Sequence, residues 1–219
     1  MKYASKSASY KKVLGQVPED YYSSGVNSNL LQKIWHTRKW LSLNQNLANK
    51  KGRLLDIGCA DGTTTSQIKK LRPDLSVIGI DLYKPAINFA NKNNTNIKFI
   101  VADAHKLPFK KNHFDVVTTI EVLEHMHDSN QVIGEIHRTL KPDGTLIIVQ
   151  DTDSLLFKAV WWFWTKSKGS VWKNSHISCM RPNELIRLVK KNGFKIKSTK
   201  LVNLGMEIVI EAKKNTVGR

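Results

Sequence analysis

The sequence predicts an α/β fold on a doubly wound, seven-stranded sheet, mostly parallel, with an antiparallel C-terminal hairpin and a helical cap at the N-terminus. Three observations lead there. From Arg53 to Val149, short apolar strands alternate with amphipathic helical stretches, as parallel neighbours require because each needs a crossover. The first strand runs into a glycine-marked loop. Near the C-terminus, two β-rich runs flank Asn203-Leu204-Gly205, the composition of a tight turn.

Residues 1–50 form an N-terminal arm and capping helices. Met1 to about Asp20 is rich in Lys, Ser and Tyr without sustained period and reads as a mobile arm. From Asn29, apolar residues including Leu30, Ile34, Leu41 and Leu47 recur near helical spacing, predicting one or two helices over the edge or mouth of the core. Residues 51–219 form the main domain. Strands are expected at Arg53–Ile57, Ser76–Ile80, Ile97–Val101, Phe114–Thr119 and Thr145–Val149, with helices at Thr64–Leu71, Pro85–Asn93 and Ser129–Leu140. A Trp-rich insertion near residues 152–181 follows. A helix over Pro182–Lys191 and a hairpin of Phe194–Val202 with Glu207–Ala212 complete the domain.

A chain of 219 residues suits one core, and 41% hydrophobic with 24% charged residues excludes neither an enzyme nor a binding module. The balance of 35 Lys and Arg against 18 Asp and Glu, a formal charge of +17, favours anionic partners such as RNA or an acidic membrane surface. The excess is concentrated late: from Lys158 onward there are 14 basic and 3 acidic residues. A merely solvated basic surface is the bland alternative. Cys59 and Cys179 have no disulfide framework or metal spacing, so a reducing cytoplasm is expected. The N-terminus lacks the apolar segment of a targeting signal, and the longest apolar run, Leu155 to Trp164, is too short to span a bilayer.

The strongest motif is Leu54-Leu55-Asp56-Ile57-Gly58-Cys59-Ala60-Asp61-Gly62, a buried strand entering a loop where glycines let a ligand approach the backbone. The next strand ends Gly79-Ile80-Asp81, and an acidic residue there can accept hydrogen bonds from both hydroxyls of a ribose. A nucleoside-containing ligand follows. A nicotinamide-dependent dehydrogenase would need G-x-G-x-x-G, which Gly58 and Gly62 do not supply.

Through DIGCADG, GIDLYKPAI, ADAHKLPF, FDVVTTIEVLEH and LKPDGTLII, the chain resembles the class I S-adenosylmethionine-dependent methyltransferases. More narrowly, it resembles the branch holding the ubiquinone and menaquinone methyltransferases. The resemblance spans Arg53 to Val149. It implies that S-adenosylmethionine is the cofactor and S-adenosylhomocysteine the product. Asp56, Gly58, Cys59 and Gly62 would shape the pocket for the amino-acid end, with Glu121 near it; Asp81 would hold the ribose, Leu82 would lie beside the adenine, and Asp103 and Ala104 would contact its amino group and ring. Many such relatives have glycine where this chain has Ala60, a small residue the loop is expected to tolerate.

Glu121-Val122-Leu123-Glu124-His125 follows the fourth strand, at the mouth where an acceptor would enter. In a helical turn, offsets of three and four place Glu124 and His125 on the side of Glu121, to converge on one cation or one acceptor hydroxyl. Similar segments hold a divalent ion in some quinone-pathway O-methyltransferases and small-RNA 2′-O-methyltransferases, which would make Glu121, Glu124 and His125 metal ligands, with His127 and His176 as further candidates. Relatives with these letters and no metal make the metal-free reading the leading one. In it, Glu121, Glu124 and His125 form the catalytic group and His125 serves as general base.

The segment Leu155 to Trp164 is apolar nearly all round as a helix, so it is expected to be a buried lid, a lipid-facing element flanked by Lys158, Lys166, Lys168 and Lys173, or a stacking surface for bases. The expected activity is methyl transfer to a small or lipid-like acceptor at a hydroxyl. RNA methylation and a non-catalytic scaffold are the rivals, and peripheral contact with an anionic membrane accompanies the first reading. Oligomeric state does not follow from these residues.

Overall fold

The computed structural model describes residues 13–25, 30–166 and 169–215. In chain order these form α1 (Tyr21–Gly25), α2 (Leu30–Leu47), β1 (Arg53–Ile57), α3 (Thr63–Leu71), β2 (Ser76–Asp81), α4 (Lys84–Asn93), β3 (Lys98–Val101) and β4 (Phe114–Ile120). Then follow α5 (Ser129–Thr139), β5 (Leu140–Asp151), α6 (Leu155–Thr165), α7 (Pro182–Lys191), β6 (Phe194–Val202) and β7 (Glu207–Lys214). One sheet carries the order β3-β2-β1-β4-β5-β7-β6. Its first five strands are mutually parallel, while β7 runs antiparallel to β5 and β6. The strand order reverses between β1 and β4, which opens a crevice at their carboxyl ends.

Both faces of the sheet are buried, because successive side chains alternate between them. Leu55, Val117, Leu146 and Ile148 face the core completed by α5 and α7, through Ile133, Ile136 and Leu185. Leu54, Val77, Val116 and Ile147 face the other, completed by Leu43 and Leu47 of α2, Ile68 of α3 and Ile87 of α4. Just past the end of α2, Arg72 donates to the carbonyls of Leu47, Ala48 and Lys50 and so fastens that turn to the end of α3.

The N-terminal cap is one 18-residue helix over Leu30–Leu47. The mobile-arm expectation fails from Val13 onward: Val13 and Val17 are buried against Trp172, and the Tyr83 hydroxyl donates to the Val17 carbonyl at 2.8 Å. Residues 1–12 lie outside the described residues. β5 is longer than expected because Leu140 already pairs with Phe114, so α5 stops at Thr139.

α6 is not a wholly buried lid. Phe157 is buried and Trp161 and Trp164 are half-buried on its inner side, whereas Leu155 and Phe163 are 85% and 69% exposed. Among the described residues, the helix packs through the side carrying Phe157, Trp161 and Trp164.

Candidate active site

The parallel register sets the ends of β1, β2 and β4 side by side, with Ile57 opposite both Ile80 and Thr119. A cleft of about 1180 Å³, including its open mouth, lies there, lined by Gly58, Asp81, Leu82, Asp103, Ala104, Glu121 and His125 of the expected site residues. Gly58 sits at φ 73°, and a Cβ on it would approach a Val122 methyl to 2.3 Å. Glycine is required there by the backbone and by packing. Ala60 holds φ 45°, a conformation that costs alanine about 1–2 kcal/mol. Its amide donates to Asp81 Oδ2 at 2.9 Å, and the Tyr83 amide donates to Oδ1 at 2.8 Å, so the carboxylate is held at the end of β2. Burial pushes the Asp81 carboxyl above its usual value in spite of these amides. At the end of β3, burial opposes ionisation of Asp103, but the His105 amide and ring, at 2.9 and 2.7 Å, hold it below the usual carboxylate range.

Asp56, Cys59 and Gly62 stand behind the cleft wall. Asp56 is buried between the hydroxyls of Thr65 and Thr118, at 2.6 and 2.7 Å, and so ties the end of β1 to α3 and β4. Burial raises its carboxyl to about 6 and the Cys59 thiol well above its ordinary value. At Gly62, a Cβ would meet the Phe99 ring at 2.8 Å. These three shape the loop from behind.

The opposite wall comes from a segment without readable periodicity: Leu14, Val17, Tyr21 and Tyr22 line the cleft. The Ser23 amide donates to Asp61 Oδ2 at 2.7 Å, and Asp61 Oδ1 accepts from the Thr63 amide at 3.1 Å. Asp61, Tyr83 and this segment were missed by sequence reasoning. A polar, aperiodic stretch gives no signal for where it packs.

The turn after β4 is not α-helical, and it separates the three expected catalytic residues. Glu121 takes φ 54°, and only Leu123–His125 forms a single 3₁₀ turn. Glu121 therefore joins a carboxylate group with Asp151 and Glu207, while Glu124 and His125 gather with His176. His127 is placed elsewhere, stacked on His105 at 3.8 Å.

Lys39 of α2 reaches into the first group, with Nζ 2.7 Å from Glu121 Oε1 and 3.7 Å from Glu207 Oε1. Burial disfavours every charge here, but Lys39 outweighs it at Glu121, whose pKa is held down to about 2. At Glu207 burial wins and pushes the carboxyl up to about 7. The depressed Glu121 contributes stability above its unfolded value of 4.5 that is lost only as pH falls toward 2. The raised Glu207 contributes stability fully present below 4.5 and lost as pH rises through about 7. The melting-temperature advantage of the wild type over Glu207→Gln is thus expected to shrink between about pH 5 and pH 8. Lys39→Met leaves buried carboxylates without their cation and is expected to cost about 3–5 kcal/mol in denaturant unfolding.

In the second group, the Glu124 carbonyl accepts from the amides of Ile177 and Ser178, both at 2.9 Å, which draws the 175–178 loop onto the turn. His125 Nδ1 lies 2.9 Å from the Ser175 carbonyl. A carbonyl only accepts, so Nδ1 carries the proton and Nε2 the lone pair. Burial lowers the His125 pKa and, with the neighbouring His125, takes His176 down to about 3, so both rings are neutral at pH 7. His176 stacks on Trp161 at 3.9 Å and stands 5.0 Å from His125. Its 3.8 Å approach to Asp151 is consequently a contact with a neutral ring. Glu124 is 1% exposed, and neither carboxylate oxygen has a hydrogen-bond partner among the described residues. Burial pushes it up to about 8. One carboxyl group, which would release its proton on binding, and two neutral imidazoles, with ligand atoms within 4.8 Å of one another, are a donor set suited to a divalent transition metal.

A methyltransferase-domain family model matches residues 48–197. The chain is 34% identical over 137 residues to an uncharacterized methyltransferase of Schizosaccharomyces pombe, covering 57% of this chain and 49% of that protein, so it spans about half the length of that relative. It is 30% identical over 164 residues to a ubiquinone biosynthesis O-methyltransferase of Pelagibacter ubique, covering 72% of this chain and 67% of that one. Among solved structures, the magnesium protoporphyrin IX methyltransferase of Synechocystis with bound SAH superposes with a TM-score of 0.67, covering 90% of this chain and 98% of that one at 18% identity. That last likeness is one of fold. With the cleft at the strand-order reversal and the matched family model, the chain belongs to the S-adenosylmethionine-dependent methyltransferase family.

Proposed function

We propose that this protein transfers a methyl group from S-adenosylmethionine to a hydroxyl of a small or lipid-like acceptor. The observation that carries the reading is His125, on the cleft wall, with its Nδ1 proton engaged by the Ser175 carbonyl, which makes Nε2 the basic nitrogen of the ring. S-adenosylmethionine, when bound, supplies an electrophilic methyl carbon that needs no further activation. The protein's task is to align, desolvate and deprotonate the acceptor. Asp81 would hold the ribose hydroxyls, with Leu82 beside the base and Asp103 and Ala104 at its edge. The segment carrying Leu14, Val17 and Tyr21 would exclude water from the opposite wall. The likeness to the Pelagibacter ubiquinone biosynthesis O-methyltransferase supports an oxygen acceptor on an apolar molecule.

A second reading is favoured by the buried Glu124 carboxyl group, whose oxygens have no hydrogen-bond partner among the described residues: Glu124, His125 and His176 would hold a divalent ion, which would act as a Lewis acid toward an acceptor oxygen. Glu121, engaged by Lys39, is left out of that set.

The test combines a screen of phenolic and lipid hydroxyls, using labelled S-adenosylmethionine with and without chelator, and calorimetry of Mn²⁺ and Zn²⁺ on the wild type and His176→Ala. Stoichiometric metal binding that the variant loses would support the second reading; turnover unaffected by chelator, without metal binding, would leave His125 as the base. Methylation of RNA alone, through binding that weakens steeply with salt, would overturn the acceptor assignment.

A further inference from the structure

We propose that the outward face of α6, together with the neighbouring 203–205 turn, docks on the surface of an anionic lipid bilayer. The inference concerns an interaction surface and does not depend on which acceptor is methylated. At about 100° per residue, Phe157, Trp161 and Trp164 fall on one side of the helix, and these are its buried or half-buried positions. The rest of the circumference is exposed and apolar over an arc of about 160°, from Trp162 through Leu155, Phe163 and Leu156 to Val160. Such a patch is rare on a soluble protein surface without a binding role.

A second element joins it. The Thr152 hydroxyl donates to the Gly205 carbonyl at 2.7 Å and its amide to the Met206 carbonyl at 2.8 Å, so α6 begins beside the β6–β7 turn. Leu204 stands in that turn at φ 59° and is 79% exposed, with Leu201, 58% exposed, just before it. A leucine in a left-handed, solvent-facing position is disfavoured on both counts by folding alone. Its turn is tied to Thr152, three residues before α6, so a second element adds exposed apolar side chains beside the start of the helix.

Charge selects the occupant. Lys166 Nζ lies 3.4 Å from the Trp162 ring centroid, at the end of the exposed arc. Lys173 is exposed nearby in the chain, and Arg181 and Arg187 are exposed at the adjoining groove, where Glu184 is engaged by the Arg181 amide. The Asp153 carboxylate is engaged by Lys158 at 2.9 Å, so the local balance stays cationic within a chain of net charge +17. Lysines and arginines rimming Trp, Phe and Leu match a headgroup layer over acyl chains, whereas the core of a protein interface is depleted of lysine. No helix among the described residues is long and apolar enough to cross a membrane, so α6 would lie in the interface plane. Its inner side meets His176 through Trp161 and Phe157, which places the docked face over the candidate site.

Flotation of the purified full chain with phosphatidylcholine vesicles, with or without one-third phosphatidylglycerol, tests this beside the Trp162→Ser/Phe163→Ser double variant. The wild type should float with the anionic vesicles and not with the neutral ones. The variant should bind them at least about tenfold more weakly while keeping its melting temperature and S-adenosylhomocysteine affinity. Three results would overturn the proposal: no wild-type binding to anionic vesicles, equal binding by the double variant, or a dimer in sedimentation velocity that the variant dissolves without any vesicle binding. The last would assign the face to a second copy of the chain.

Discussion

Replacing His125 with asparagine is expected to lower kcat by about 10²–10⁴-fold while leaving S-adenosylhomocysteine affinity nearly unchanged. Asparagine is the sharper test than alanine. Its side-chain amide can keep donating to the Ser175 carbonyl, which now receives the Nδ1 proton at 2.9 Å, so the 175–178 loop stays docked while the basic Nε2 is removed. His125 also stacks beside Trp172, with centroids 5.9 Å apart, and an alanine there would loosen the cleft wall. Because burial lowers the His125 pKa below 6.5, the acidic limb of the wild-type pH–rate profile should lie below that value, and the variant should lose this limb. A variant whose cofactor affinity falls as far as its turnover would remove His125 from the proton-transfer role.

Asp81→Ala is expected to weaken S-adenosylmethionine and S-adenosylhomocysteine binding by about 100-fold or more, read by calorimetry. Each hydrogen bond to a charged acceptor contributes about 1.5–3 kcal/mol, and a ribose would offer two. Part of the loss would come from the loop, since Asp81 also accepts from the Ala60 and Tyr83 amides. Those amides fix Ala60 at φ 45°, and without their acceptor the strained loop has less reason to keep its shape. Asp81→Asn separates the two parts: it retains one acceptor oxygen for the loop or the ribose, so its loss should fall between wild type and alanine. Unchanged affinity in Asp81→Ala would place the nucleoside elsewhere.

The elements of the sheet were legible because burial on both faces leaves a strong local record. Leu54-Leu55, Val116-Val117 and Leu146-Ile147-Ile148 are short apolar runs, each joined to the next by a helical or turn-rich stretch, and that sequence of periods specifies parallel crossovers. The cleft wall was legible for a related reason. Gly58, Asp81, Asp103 and Ala104 sit at strand ends, where their place in the cleft follows once strand order is known. Asp56 and Gly62 were legible as special positions, but not as residues facing away from the cleft. Their partners, Thr65, Thr118 and Phe99, come from other elements.

The sequence by itself determined the α/β class, the strands and helices, and the crevice, since each rests on periodicity or on a motif within one strand-turn-helix unit. Tertiary structure decided the rest. It decided that Lys39 claims Glu121, that His176 rather than Glu121 completes the Glu124–His125 group, that residues 13–22 wall the cleft, and which side of α6 faces outward. Each of these depends on groups far apart in the chain. A helix apolar nearly all round has no periodic signal to say which face its neighbours will cover, and a positive φ at Glu121 breaks the helical spacing on which its grouping with His125 was based.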